Sequence, residues 1–111
     1  MSQPIDNRLV VNESGITSSY TYVYDCRATD NLSIQAVITG GNGTFQASGS
    51  NDNINYVLIP TTLQDFTGTS DVLCTIYQPA YPWVSFTITS TSGTLDLSLT
   101  IFSRSHTIVS N

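Results

Sequence analysis

The sequence predicts an all-β protein, an antiparallel β-sandwich or jelly roll of about seven or eight strands with essentially no helix. Apolar and polar residues alternate with a period of two in several segments, most clearly in 32–39 and 94–102. Clusters of Gly, Asn, Asp, Ser and Pro separate these segments at intervals of about 8–12 residues. No segment of about ten residues or more carries the 3.6-residue period of an amphipathic helix.

The N-terminal region predicts an arm followed by two strands. Residues 1–7 are polar and read as the arm. A short strand is expected at 9–11, and the Asn, Glu, Ser and Gly of 12–15 form a turn cluster. Residues 16–25, ITSSYTYVYD, alternate so that three tyrosines share one face of a strand.

The central stretch predicts a hairpin. In 32–39 every second residue is apolar, and in 44–48 Phe45 and Ala47 share a side. The intervening Gly40-Gly41-Asn42-Gly43 tolerates positive φ, which a tight turn requires. The second strand ends in a polar corner that begins at Ser50.

The remaining strands are bounded by prolines and glycine. A short strand at 56–59 stops at Pro60, and 61–71 read as a loop that carries Leu63 and Phe66 as core candidates. A strand follows at 72–77, and two prolines within 78–82 end it.

Two last strands are expected, at 83–89 and 94–102. A turn at 90–93 joins them, and 103–111 read as a polar tail. With 111 residues the chain fits one domain, 1–111, with the arm and the tail at its ends.

Composition limits the classes of partner. Charged residues make up 10% of the chain, against about 25% in an average domain, so uncharged polar residues must cover the surface. Such a surface suits a β protein and also a protein largely covered by neighbours. With three Arg, no Lys and a net charge of −5, we expect no nucleic-acid binding and no attraction to anionic membranes.

Neither a membrane span nor a secretory signal is recognisable. No apolar run reaches the ~20 residues of a span, and the first residues lack a cationic and an apolar region in series. We therefore expect synthesis in a reducing cytosol. There Cys26 and Cys74 would be buried free thiols rather than one disulfide, although two cysteines allow either state.

Catalytic groups are scarce. His106 is the single histidine, which excludes a His-based triad or His cluster within the chain, and no carboxylates pair at a suggestive spacing. We predict a non-enzyme with no catalytic residue, cofactor or metal. Oxygen ligands for Ca²⁺ exist near Asp52, but Asn and Asp in turns more often bond their own backbone.

One region is a candidate for contacts with another molecule. Aromatic residues around the prolines of 78–82 could form a sugar-stacking platform, a subunit contact, or ordinary rim packing. With the polar corner they define a candidate contact surface, which comprises Tyr77, Tyr81, Trp83, Asn51, Asp52 and Asn53.

Three motifs resemble a known group of proteins. They are LSIQAVITG at 32–40, GTFQASGSNDNINYVLIP at 43–60, and YPWVSFTITSTSGTLDLSLTIFSR at 81–104. Their order resembles small virion proteins of tailed bacteriophages over roughly residues 28–104. The GSNDNINY stretch also looks like the corresponding corner of discoidin-like sandwiches. Asn53 stands where the pattern usually has Gly, and Ser85 stands where it usually has Arg.

The resemblance implies a phage structural protein on the virion, made in the host cytoplasm. Its most concrete form is a capsid decoration (cement) protein that contacts the major capsid protein or other virion proteins, with self-association as a further option. The arms and residues 77–83 would supply contacts, so deletion of 1–7 should weaken particle binding. The alternatives are a glycan- or receptor-binding module of a tail or head fibre, and a tail-tube or neck component.

Overall fold

The computed structural model describes residues 2–27, 29, 31–59, 62–67, 70–77 and 80–108, which form seven β-strands and no helix. All the strand pairs are antiparallel, which confirms the all-β class. The strands are β1 (Ser2–Ile16), β2 (Ser19–Asp25), β3 (Asn31–Ser50), β4 (Val57–Leu58), β5 (Gln64–Phe66), β6 (Ser70–Tyr77) and β7 (Trp83–Ile108).

Two long strands organise the sheet. β3 pairs with β7 along its whole length, from Asn31 opposite Arg104 to Ser50 opposite Trp83. On the far side of β7, β2 pairs with its first part and β1 with its second part. On the far side of β3, β6 pairs with its first part, and β5 and β4 pair with its second part. The sheet therefore has two halves, which share β3 and β7.

The two halves enclose one apolar core in a sandwich-like arrangement. The Tyr24 hydroxyl of β2 and the Ser103 hydroxyl of the second part of β7 are hydrogen-bonded at 2.8 Å, so the halves meet. The alternating faces predicted from the sequence are the buried ones, and both halves contribute to a single cluster. Its strand residues include Leu32, Ile34, Ala36, Ile38, Phe45, Ala47, Val84, Phe86, Ile88, Leu95, Leu97, Leu99 and Ile101.

The predicted hairpin at 40–43 is wrong, because β3 runs through these glycines without reversing. Gly40 has φ +100 and Gly93, on the facing part of β7, has φ +83. The ladder shifts register twice at this level, between Thr39 and Gly41 and between Asn42 and Gly43. Both strands bend at the same level and stay paired, which satisfies their backbone groups without a turn. The turn predicted at 90–93 is wrong for the same reason.

The segments predicted as separate arm and tail pair with each other. Ser2 lies opposite Ile108 and Asn7 lies opposite Ser103. We call residues 2–7 and 103–108 the terminal ribbon; Met1 and residues 109–111 of the predicted arm and tail lie outside the described residues. Because β3 begins opposite Arg104, the outer part of the ribbon has two strands among the described residues. The molecule measures 56 × 25 × 21 Å.

The predicted loop 61–71 contains strand β5 and the first residues of β6. Of its two core candidates, Phe66 is buried, whereas the side chain of Leu63 is 52% exposed. Phe66 lies opposite Gly43 and fills the space beside the bend. The prediction is therefore confirmed for Phe66 and wrong for Leu63.

Candidate functional site

Three strand ends meet around Trp83, the first residue of β7. Trp83 lies opposite Asp25, the last residue of β2, on one side and opposite Ser50, the last residue of β3, on the other. The ladder continues by one bond beyond Asp25, from the Cys26 amide to the Pro82 carbonyl at 2.7 Å. The register thus brings Trp83 and the polar corner together, as the candidate contact surface requires.

An exposed ion pair borders Trp83. The Arg27 guanidinium donates from Nε and Nη2 to the Asp25 carboxylate at 2.7 to 3.1 Å, and the Arg27 amide donates to Oδ1 at 3.0 Å. These bonds lower the pKa of Asp25 to about 2. The Arg27 Cζ atom lies 5.3 Å from the Trp83 ring centroid, within cation–π range. Neither Asp25 nor Arg27 carries a local sequence signal that predicts this pair.

Tyr81 is held by close packing on the backbone of β3. A Cβ atom at Gly49 would lie 2.3 Å from the Tyr81 ring, so the ring rests directly on the glycine. Next to it is an open pocket of ≈ 320 Å³. It is lined by Cys26, Arg27, Thr29, Ala80, Tyr81 and Pro82.

The corner after β3 is built by Ser50 and Asp52. The Ser50 hydroxyl donates to Asp52 Oδ1 at 2.9 Å and accepts from the amides of Asp52 and Asn53. Asp52 Oδ1 also accepts from the amides of Ile54 and Asn55, and Oδ2 accepts from the Asn55 side chain at 3.0 Å. The donated bonds hold the pKa of Asp52 well below its usual range.

These bonds satisfy the Asp52 oxygens locally, as expected for Asx-type turn chemistry. A cation at this corner would have to displace several N–H donors. Within the described part of the chain, no group of three or more His, Cys, Asp or Glu side chains could hold a metal ion.

Asn53 takes the one left-handed backbone conformation found for a non-glycine residue in the described chain, with φ 60. Its side-chain carbonyl accepts a hydrogen bond from the Tyr56 hydroxyl. Asn is among the few residues other than Gly that adopt left-handed φ readily. The turn therefore does not require a glycine at this position.

The structure assembles most of the candidate contact surface. Asn51, Asp52, Asn53, Tyr81 and Trp83 lie at one end of the sandwich. Tyr77 is the last residue of β6, and its backbone lies opposite Asn31. The next residue of β3, Leu32, is paired with Ser103, whose hydroxyl is hydrogen-bonded to Tyr24 of β2. The backbone of Tyr77 therefore lies at the same end of the sandwich. The side chain of Tyr77 lies outside the described residues.

Cys26 and Cys74 are free and buried. Burial, and secondarily the Asp25 charge, raises the pKa of Cys26 to about 11, and burial raises that of Cys74. Both are therefore poor nucleophiles at neutral pH.

No helix in the described residues is long and apolar enough to span a bilayer.

Acid titration tests the corner. Since the folded pKa of Asp52 lies below its unfolded value of about 3.8, its carboxylate stabilises the fold above that pH, and this contribution is lost as pH falls toward the folded pKa. Asp52→Asn should lower the free energy of unfolding at pH 7, and the difference from wild type should shrink below about pH 4. Urea denaturation at each pH measures this.

The exposed Asp65→Asn in β5 removes an equal charge and serves as the matched control. The role assigned to the Asp52 carboxylate would be contradicted if the free energies of unfolding of Asp52→Asn and wild type differed by a constant amount from pH 7 to about pH 2.

No family model matches this chain, and no curated protein matches it significantly in sequence. Its fold is similar to solved structures. One is described as the SPBc2 prophage-derived protein YomS, with TM-score 0.70, 13% identity, and coverage of 93% of this chain and 96% of the other.

Another comes from a structure titled "Bacillus endospore appendages form a novel family of disulfide-linked pili". Here the TM-score is 0.58, with 6% identity over 95% of this chain and 89% of the other. At these identities the likeness establishes a shared all-β fold over nearly the whole chain.

Proposed function

We propose that this protein is a non-enzymatic structural component of a bacteriophage particle, most concretely a capsid decoration protein bound in many copies to the major capsid lattice. The observation that carries the proposal is the end-to-end likeness to the prophage-derived structure. The motifs at 32–40, 43–60 and 81–104, which resemble small virion proteins of tailed bacteriophages, support the same proposal.

The physical features of the chain support a binding role. A decoration protein needs no reacting group; it stabilises a shell by binding the assembled state across neighbouring subunits. The end of the sandwich presents Trp83, Tyr81 and Arg27, and these residue types are enriched in the centres of protein interfaces. We assign the capsid contact to this end, on a single domain of residues 1–111.

Trp83→Ala should weaken binding to the particle. Loss of the ring removes apolar contact area and the support under Arg27, and a central aromatic anchor is worth about 2 kcal/mol or about 30-fold in affinity. Purified protein is added to particles that lack it, and binding is measured by cosedimentation.

The matched control is Val23→Ala, at an exposed position of β2 two residues before the Asp25–Trp83 pair. It should bind like wild type. If folded Trp83→Ala bound the particle as tightly as wild type, the assignment of the capsid contact to this end of the sandwich would be contradicted.

The pocket beside Tyr81 favours a second candidate, a glycan- or receptor-binding module of a tail or head fibre. An aromatic ring next to a planar ion pair offers both stacking and directional hydrogen bonds to a sugar. Specific glycan-array binding that is lost in folded Trp83→Ala or Asp52→Ala would favour this candidate. The likeness to a pilus structure keeps a tail-tube or neck component as a further alternative.

A further inference from the structure

Among the described strands, β1 has the longest unpaired edge. β1 spans 15 residues and pairs with β7 on one side; within the described ranges no strand lies along its other edge. The other outer strands are shorter, with seven residues in β2 and eight in β6. Long exposed edges carry unpaired backbone donors and acceptors and readily pair with another chain, so folded proteins usually shorten or cover them.

We propose that a second copy of this chain covers the edge, with the two β1 strands paired antiparallel about a two-fold axis. Such a contact is isologous, since the same residues are used on both copies. A two-fold axis that relates adjacent antiparallel strands is perpendicular to the sheet. Two residues that lie opposite each other across the joint are therefore both even-numbered or both odd-numbered.

Overlap and charge favour one register. With Asn7 opposite Asn7 of the second copy, pairing extends from Ser2 to Asn12, nearly the full regular part of β1 before the shift that follows Glu13. This register also places Arg8 of each copy opposite Asp6 of the other. Asp6 lies opposite Arg104 of its own chain on its other side, so each Asp6 position would lie between two cationic positions. Moving the centre to Arg8 would instead place the two arginines face to face.

Pairing with a second copy would stabilise the terminal ribbon. A two-stranded ribbon is marginally stable in water on its own, and the outer part of this one extends beyond the start of β3. In the proposed register, residues 2–5 lie alongside residues 9–12 of the second copy. The outer ribbon then becomes part of the sheet that includes β7 and β3 of that copy, and its free edge is paired.

One exposed apolar side chain lies on the edge strand itself. Val10 of β1 is 46% exposed on the outer face and would gain a cross-strand neighbour in the second copy. Pro4 lacks an amide donor and removes at most one hydrogen bond from each copy's edge. A joint along one edge is smaller than the ~1,600 Å² of a standard interface, so we expect a dimer of micromolar affinity.

Analytical ultracentrifugation of the purified full chain over a range of concentrations tests the proposal. Wild type should reach twice the 12.0 kDa mass of one chain. Arg8→Asp and Asp6→Arg, each alone, should raise the dimer dissociation constant about tenfold, because each sets like charges opposite each other. The double variant restores opposite charges across the joint and should bring the dissociation constant back toward the wild-type value. Asp6→Arg also sets a second cation opposite Arg104 of its own chain, so Arg8→Asp is the more specific of the two single variants.

A monomer at every concentration would overturn the proposal and leave the edge to another partner, such as a capsid subunit. A dimer or larger assembly that neither single variant weakens would overturn it as well, since another surface would then form the contact. Circular dichroism of each variant ensures that only folded chains are compared. The result is independent of the particle proposal, because it concerns the isolated protein.

Discussion

Gly41→Ala should destabilise the fold by about 3 kcal/mol or more, the upper range for overpacking a tightly filled site. A Cβ atom at this position would lie 2.1 Å from the Ser92 carbonyl oxygen and 3.1 Å from the Gly93 Cα atom, both in the backbone of β7. Backbone cannot rotate away as a side chain can, so the two long strands must separate at their shared bend. Urea denaturation followed by circular dichroism measures the loss.

Gly15→Ala is the matched control, because it separates crowding from backbone conformation. Gly15 has φ +73 but open space around its Cα, whereas the φ of Gly41 lies outside the left-handed region. Gly15→Ala should therefore cost only the left-handed penalty of about 1–2 kcal/mol. If Gly41→Ala proved no more destabilising than Gly15→Ala, the close approach of β3 and β7 would not be the constraint that we infer.

Phe86→Ala should have the other large effect, a loss of about 3–5 kcal/mol. Phe86 is 2% exposed and Phe45 is fully buried, and their rings are nearly parallel, with 6.4 Å between centroids. Total stability is usually about 5–15 kcal/mol, so the variant should unfold at a much lower temperature or denaturant concentration. Thermal and urea denaturation both report this loss.

Val57→Ala, at a 66% exposed position of β4, is the control and should change stability by less than about 0.5 kcal/mol. A double-mutant cycle with Phe45→Ala should give a coupling of about 0.5–1.5 kcal/mol for the aromatic pair. A Phe86→Ala protein as stable as wild type would contradict the assignment of the ring to the core.

The buried faces were predictable because they depend on local alternation. Leu95, Leu97, Leu99 and Ile101 follow every second position, and a one-residue slip would expose all four. The bend was not predictable, since glycines with positive φ serve both tight turns and strand bends. What decides between them is Gly93 on β7, far along the chain and adjacent to Gly40 only after the strands pair.

The terminal ribbon gave no sequence signal for a similar reason. Residues 1–7 and 103–111 are mostly polar, and such segments become strands only when a partner strand is present. Their pairing follows from the register that the body of β1 and β7 has already set.

The candidate site was predictable in part. Turn chemistry at Ser50 and Asp52 is local, and the structure contains the expected bonds. The Asp25–Arg27 pair depends instead on the register that places Asp25 opposite Trp83, which no local pattern specifies. The contact role of this end of the sandwich remains a prediction.

The copy number of this protein in purified bacteriophage particles tests the proposed decoration role most directly. Quantitative mass spectrometry would give the ratio of this chain to the major capsid protein. A decoration role predicts a ratio on the scale of the whole capsid lattice. A few copies per particle would contradict decoration and favour a tail, neck or fibre position, and absence from the particle would contradict a structural role in the virion.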